Sequence, residues 1–138
     1  EVSYECTHHV PSLNVPTMFA ELGSSSKQWN DVKAAEAVAH AAMAAVTKES
    51  KYPVVLGVGG PHYNERFTKI ALTTPRAFGH MIAKYAVPQV DSEVVKQCVQ
   101  KTTEKVEAAV FDWKSMKSAD RERMISVLKE LNVPVERA

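Results

Sequence analysis

Three of the five histidines stand next to segments that are typical of strand ends. His8 and His9 follow an alternating segment at residues 2–6, and His62 follows the turn that ends an apolar run at residues 53–58. Ligands of open α/β sheets bind outside the carboxyl ends of the strands, so parallel strands would bring these histidines to one crevice. Imidazole holds or passes a proton near neutral pH, and the pattern therefore favours acid–base chemistry.

Two glycines precede His62 and allow two interpretations. Gly59 and Gly60 would let the backbone approach a ligand closely. The alternative is a plain tight turn beside histidines that donate hydrogen bonds to loop carbonyls. A phosphate loop is only weakly indicated, because neither Gly-x-Gly-x-x-Gly nor a Gly-Lys-Ser/Thr ending is present.

Metal binding is a further alternative, because histidines and carboxylates without a usable cysteine pair would suit zinc with an open position. No His-x-x-x-His or His-Glu-x-x-His pairing anchors such a site. The basic residues near His62 and His80 could contact phosphates or form an ordinary solvated surface. The candidate metal ligands are His8, His9, His62, His80, Glu5 and Glu21, and the basic residues are Arg66, Lys69, Arg76 and Lys84.

Strands alternating with helices predict an α/β or α+β layered domain that would position these side chains. The run at residues 53–58 is apolar throughout, which predicts a central strand covered on both faces. His40 falls on the polar side of a predicted helix and is interpreted as solvated. We predict helices at about residues 31–47, 75–86, 91–109 and from Ser118 onward, with strands at 2–6, 17–22, 53–58, 67–72 and 133–135.

Length and composition narrow the class of protein. The chain has 138 residues, which predicts a single domain over residues 1–138. An apolar fraction of 45%, a charged fraction of 24% and a net charge of +1 exclude a disordered chain and a strongly basic nucleic-acid coat. No apolar run is long enough for a membrane span. Cys6 and Cys98 predict two reduced thiols in a cytoplasmic protein.

Five ordered segments resemble motifs of the archaeal- and plant-type D-aminoacyl-tRNA deacylase family. The strongest are Glu-Cys-Thr-His-His-Val-Pro at residues 5–11 and Gly-Val-Gly-Gly-Pro-His-Tyr at residues 57–63. Phe-Ala-Glu-Leu-Gly-Ser-Ser at residues 19–25, Gly-His-Met-Ile with Lys-Tyr-Ala at residues 79–86 and Asp-Trp-Lys at residues 112–114 also have counterparts. The resemblance extends over the whole chain, which corresponds to the C-terminal half of the family's length.

The resemblance implies hydrolysis of the ester bond between a D-amino acid and tRNA, which is chiral proofreading in translation quality control. It also implies zinc and a core similar to that of peptidyl-tRNA hydrolases and nucleoside phosphorylases, a mixed or mainly parallel sheet flanked by helices. The core is expected to be incomplete in this chain. An N-terminal half or a second copy would complete the sheet through the strand at residues 2–6, because unpaired strand edges recruit partners.

The resemblance also assigns roles to residues of the predicted crevice. His8, His9 and His62 would activate water or hold the metal, while the amides of Gly59 and Gly60 would stabilise an oxyanion. Two other functions are left open: a metal-dependent hydrolase or phosphorylase of a small nucleoside-like substrate, and a tRNA-binding module without catalysis. Among the predicted substrate-binding residues, Thr7 and Glu21 would orient the imidazoles, and Arg66 and Lys84 would contact the tRNA end. The full set is Thr7, Glu21, Gly59, Gly60, Tyr63, Arg66, His80 and Lys84.

Overall fold

The computed structural model describes residues 2–6, 15, 17–49 and 51–138. They form two compact units, of which the first contains residues 2–6 and 52–138 and the second the described residues between 13 and 51. The single domain expected from the length stays a prediction. Within the described ranges, no helix is long and apolar enough to cross a membrane.

The second unit contains a short helix, α1 (Ser26–Trp29), and a long one, α2 (Val32–Thr47). The carboxylate of Asp31 accepts hydrogen bonds from the amides of Lys33 and Ala34, which caps α2 and confirms the predicted helix. The predicted strand at 17–22 is wrong, because residues 17–23 make no strand pairing in the described chain.

The first unit is built on a four-stranded parallel sheet. Its strands are β1 (Val54–Val58), β2 (Ala77–Ile82), β3 (Val106–Phe111) and β4 (Val135–Arg137), in the order β2-β1-β3-β4. Each residue of β1 is buried, and β1 pairs with β2 on one side and β3 on the other. The predicted α/β class, the parallel sheet and the central strand are therefore confirmed.

Three helices cover the faces of this sheet: α3 (Glu65–Thr73), α4 (Ser92–Gln100) and α5 (Ser118–Glu130). Leu56 and Phe111 pack with residues of α4 and α5 on one face. Val55 and Val110 pack with Phe67 of α3 on the other face. Short 3₁₀ turns at Val87–Gln89 and Trp113–Ser115 complete the connections.

Two elements differ in type from the prediction. Residues 67–72 lie in α3 instead of a strand, and β2 occupies half of the segment predicted as a helix at residues 75–86. Parallel neighbours such as β1 and β2 need a crossover, and α3 provides it. Short apolar runs do not by themselves separate strand from helix, which explains both errors.

The predicted helix at residues 91–109 merges two elements. Asp91 caps α4 through the amide of Val94, as expected, but α4 ends at Gln100 and β3 begins at Val106. The apolar run of β3 is buried between β1 and β4, and this pairing overrides the helical spacing. The start of α5 at Ser118 and the final edge strand are confirmed, with β4 two residues further along than expected.

Residues 2–6 do not form a strand of the sheet, so that prediction is wrong. Glu5 makes an isolated antiparallel bridge with Tyr63. The amide of Cys6 donates to the carbonyl of His62 at 2.8 Å, and the amide of Asn64 donates to Tyr4 at 2.9 Å. These bonds tie the segment to the loop after β1. The edges of the sheet in the described residues are therefore β2 and β4.

Candidate functional site

The candidate site begins where β1 ends at the carboxyl edge of the sheet. Gly59 has φ of 97° and Gly60 has φ of 78°, a left-handed conformation that glycine adopts without strain. The amide of Gly59 donates to the carbonyl of Ile82 at 2.8 Å, and the carbonyl of Gly60 accepts from the amide of Lys84 at 2.9 Å. The turn after β1 is thus joined to the end of β2.

The turn that follows β3 supports the same glycines. The hydroxyl of Ser115 accepts a hydrogen bond from the amide of Gly60 at 2.8 Å and donates to the carbonyl of Asp112 at 2.8 Å. The amides of Gly59 and Gly60 are therefore both used inside the protein. The predicted oxyanion role of these amides is not supported by this geometry, because neither N–H points to an open acceptor site.

His62 is in contact with a side chain at each ring nitrogen. Its Nε2 lies 2.5 Å from Oε1 of Glu5, and its Nδ1 lies 3.2 Å from the hydroxyl of Tyr85. The His62 side chain is 36% exposed and that of Glu5 24% exposed, so solvent reaches the pair. Tyr63 stands edge-on to the His62 ring at 5.2 Å. We call Glu5, His62 and Tyr85 the histidine array.

The partners of His62 indicate which tautomer its neutral ring adopts. An ionised carboxylate only accepts hydrogen bonds, so Nε2 of His62 carries a proton toward Glu5. In the neutral ring, Nδ1 then accepts from the hydroxyl of Tyr85. Proton uptake at Nδ1 would produce an imidazolium stabilised by the Glu5 carboxylate. The array can therefore act as a general base followed by a general acid.

A buried asparagine holds the backbone around the array. The side chain of Asn64 is fully buried, and its Nδ2 donates to the carbonyl of Gly59 at 3.1 Å and lies 3.8 Å from Sγ of Cys6. Its Oδ1 accepts from the amide of Phe67 at 3.0 Å and caps α3. Burial raises the pKa of the Cys6 thiol, an effect that the nearby Glu5 carboxylate reinforces.

The remaining predicted residues are not all brought to the histidine array. Thr7, His8 and His9 lie outside the described residues. Glu21 is exposed in the second unit. His80 lies within β2, where its Nδ1 is 3.0 Å from the hydroxyl of Thr102, and burial together with the charge of Lys101 lowers the pKa of its imidazole.

Two predicted basic residues do lie at the carboxyl edge of the sheet. Nε of Arg66 is 3.3 Å from Oδ1 of Asp112, the residue that follows β3. Lys84 is exposed and immediately precedes Tyr85. Their contact with the tRNA end stays a prediction, as does the substrate-binding role of Tyr63.

Sequence reasoning missed Tyr85, Asn64 and Ser115 as parts of the site and considered Glu5 only as a metal ligand. Tyr85 follows β2, so the rule that ligands bind at the carboxyl ends of strands would have identified it had β2 been recognised.

The described residues contain no group of three histidine, cysteine or acidic side chains able to hold a metal ion. His62 and Glu5 provide two neighbouring donors, whereas His8 and His9 lie outside the described ranges. Of the three histidines that the family resemblance assigns to zinc, His62 is the one that the structure describes, and zinc binding stays a prediction.

Comparison with known sequences decides the family. The sequence model of D-aminoacyl-tRNA deacylases matches residues 1–136. The chain belongs to the D-aminoacyl-tRNA deacylase family. The D-aminoacyl-tRNA deacylase of Pyrococcus furiosus is 41% identical over 133 residues, which cover 96% of this chain and 49% of that protein. The D-aminoacyl-tRNA deacylase of Methanosarcina mazei is 45% identical over 136 residues, covering 98% of this chain and 44% of that protein.

The fold is also shared with a solved structure. The crystal structure of a conserved protein of unknown function superposes with a TM-score of 0.75 at 35% identity, covering 83% of this chain and 40% of the other. The chain thus spans about half the length of the curated relatives it matches. The family resemblance and the expected parallel sheet flanked by helices are confirmed.

Proposed function

We propose that this protein hydrolyses the ester bond of D-aminoacyl-tRNA and releases a free D-amino acid and tRNA. The observation that carries the proposal is the histidine array at the carboxyl edge of a parallel sheet, in a chain of the deacylase family. Selection for the D-enantiomer would make the reaction chiral proofreading. Such an ester needs little more than an oriented water, a proton acceptor and charge stabilisation.

The array supplies the proton acceptor. A water attacking the ester carbonyl would lose its proton to the Tyr85 hydroxyl while the Tyr85 proton moves to Nδ1 of His62. The Glu5 carboxylate at 2.5 Å stabilises the resulting imidazolium. When the bond to the ribose oxygen breaks, the same proton returns through Tyr85 to that oxygen. The amino acid leaves as its carboxylate after losing a proton to solvent.

Water is the nucleophile that the surroundings favour. Cys6 lies against Asn64, but its thiol is buried and its raised pKa disfavours the reactive thiolate. The hydroxyl of Ser115 is occupied by Gly60 and Asp112. Neither side chain is placed to form an acyl-enzyme, in agreement with the absence of a nucleophile-elbow motif in the sequence.

The direct test compares deacylation of D-tyrosyl-tRNA and L-tyrosyl-tRNA by the intact protein. We expect release from the D-substrate alone, and His62→Ala should lower kcat at least about 100-fold, the lower range for lost acid–base catalysis. His40→Ala is the matched control, because His40 is exposed on α2 of the second unit. Equal rates on the two enantiomers would contradict chiral proofreading.

Zinc on His8, His9 and His62 remains our proposal from the family resemblance. A bound zinc would polarise a water or the ester carbonyl. At His62 it would have to replace Glu5 or Tyr85 at one ring nitrogen. Metal analysis of the purified protein is the first test, and activity that survives exhaustive chelation would make zinc unnecessary for the reaction.

Three finer expectations also stay proposals. We place the chain in the C-terminal half of its longer relatives, on the strength of the five ordered motifs. A further polypeptide, either an N-terminal half or a second copy, would pair with the edge strands β2 or β4 instead of residues 2–6. A cytoplasmic location agrees with the lack of a disulfide between Cys6 and Cys98, the two cysteines of the sequence, both of which the structure describes.

A further inference from the structure

Two arginines lie over the indole ring of Trp113 at the carboxyl edge of the sheet. The guanidinium carbon of Arg137 is 3.8 Å from the ring centroid, and that of Arg121 is 4.7 Å from it. Both distances fall within the range of cation–π attraction. Arg137 ends β4 and stands in register with Phe111 of β3, so the pairing of two strands positions this contact. We call Trp113, Arg121 and Arg137 the tryptophan cluster.

The two arginines differ in their hydrogen bonds and in their exposure to solvent. Arg121 donates to the carbonyls of Trp113 at 2.9 Å and Met116 at 2.5 Å, which anchors it to the turn after β3. Arg137 is exposed and holds its guanidinium against the half-buried Trp113 ring. Stacking restricts the orientation of Arg137 and leaves the N–H groups at the edge of its guanidinium open to a ligand.

The cluster has a local excess of positive charge, although the whole chain carries only +1. Among the ion pairs of residues 2–6, 15, 17–49 and 51–138, none includes Arg121 or Arg137. Of the nearest carboxylates in sequence, Asp112 pairs with Arg66, Asp120 with Arg123 and Glu136 with Arg76. The carboxylate of Glu122 accepts a hydrogen bond from the hydroxyl of Ser118. This surface is therefore suited to an anion supplied from outside.

The cluster is physically connected to the histidine array. Ser115, two residues after Trp113, accepts the amide hydrogen bond of Gly60, which is two residues before His62. Arg66 adds a link through Asp112, the residue before Trp113. A ligand that follows the carboxyl edge of the sheet from His62 would next reach Arg137.

We propose that Arg137, held on Trp113, contacts the phosphate backbone of the acceptor strand of tRNA when the ester lies at His62. The inference rests on the proposed function for the identity of the RNA. A planar guanidinium fork matches two phosphate oxygens, and such contacts position a nucleic acid without reading its sequence. Arg137 is then a tRNA-binding residue outside the motifs that carry the family resemblance.

The experiment measures the Kd of uncharged tRNA by filter binding over a series of salt concentrations. Uncharged tRNA separates this proposal from the proposed function, because binding is read without any ester hydrolysis. The variants are Arg137→Ala, Arg137→Lys and Lys105→Ala. Lys105 is an exposed cation that directly precedes β3, at the amino ends of the strands and away from their carboxyl ends. Lys105→Ala therefore controls for the loss of one charge. Thermal melting of each variant verifies the fold.

Arg137→Ala should weaken binding about tenfold, the loss of one charge-assisted hydrogen-bonded contact, and reduce the salt slope by about one. Arg137→Lys should recover the slope but only part of the affinity, and Lys105→Ala should bind like the unaltered protein. The proposal is overturned if Arg137→Ala keeps the original Kd and slope, or if Lys105→Ala loses as much. Unchanged tRNA binding with weaker binding of polyglutamate would assign the cluster to an acidic protein instead.

Discussion

His62 differs from the other described histidines because both of its ring nitrogens contact side chains that can exchange or stabilise a proton. Glu5 lies at Nε2 and Tyr85 at Nδ1, whereas His80 contacts the hydroxyl of Thr102. The carboxylate determines which nitrogen carries the proton, and the tyrosine connects the other nitrogen to solvent. This difference makes His62 better suited than His80 to the proposed proton transfer.

Glu5→Gln tests the charge of the array with little change in shape. The glutamine oxygen can still accept from Nε2 of His62, but the imidazolium loses its counter-charge. We expect kcat for D-aminoacyl-tRNA to fall about 100-fold with KM nearly unchanged. Single-turnover deacylation measures the effect, and Glu130→Gln, an exposed change at the end of α5, is the control. Equal kcat values for Glu5→Gln and Glu130→Gln would remove Glu5 from the mechanism.

Tyr85→Phe tests the hydroxyl while keeping the aromatic ring. We expect kcat to fall at least about 100-fold, because phenylalanine cannot relay the proton between the attacking water and Nδ1 of His62. The nitrogen NMR signals of the His62 ring should also move, because Nδ1 loses its donor. Tyr52→Phe removes the same hydroxyl near the amino end of β1 and serves as the control. Unmoved His62 signals together with normal kcat would show that Tyr85 does not position the imidazole.

At the scale of elements, one residue joins three segments around the site. Asn64 caps α3, holds the carbonyl of Gly59 and reaches Cys6 in the segment at residues 2–6. Its backbone adds to this, since its amide donates to Tyr4. The position of Glu5 beside His62 therefore depends on a hydrogen-bonded asparagine that is fully buried.

Asn64→Ala should lower the free energy of unfolding by about 3 kcal/mol, because it leaves a buried carbonyl and a buried amide without partners. Asp91→Ala removes a cap of the same kind from α4, but Asp91 is exposed, so we expect a loss of about 1 kcal/mol. Urea unfolding of both variants makes the comparison. Similar losses at the two positions would mean that the buried bonds of Asn64 contribute no more than an ordinary cap.

At the scale of the whole molecule, the two units differ in how deeply their chains are buried. Strands β1 and β3 are buried along nearly their whole length, with Val58 and Phe111 inaccessible to solvent. Helix α2 has no buried residue along its length. The free energy of local opening should therefore be lower in α2 than in β1 and β3.

Hydrogen exchange followed by mass spectrometry tests this difference. We expect amides of β1 and β3 to exchange at the rate of global unfolding and amides of α2 at least about 100-fold faster, since few packed contacts oppose its opening. The edge strand β2 should be intermediate because one side of it is unpaired in the described sheet. Protection of α2 equal to that of β3 would show that a packed surface covers α2 in solution.

The sequence by itself determined the class of fold, the central strand and the family. An uninterrupted apolar run is enough to predict that β1 is covered on both faces, and ordered motifs across the chain are enough to recognise related proteins. Gly59, Gly60 and His62 were identified because a strand end marks where ligands bind. Each of these inferences depends on neighbouring residues or on their order along the chain.

The tertiary structure alone decided which side chains surround His62. Glu5 is 57 residues away in sequence and Tyr85 is 23 residues away, so no local spacing indicates that they share one imidazole. The amides of Gly59 and Gly60 were predicted to stabilise an oxyanion. In the folded chain they donate instead to the carbonyl of Ile82 and the hydroxyl of Ser115. Hydrogen-bond partners of this kind depend on how strands and loops meet in space, and a short apolar segment such as β2 becomes a strand only because its neighbour pairs with it.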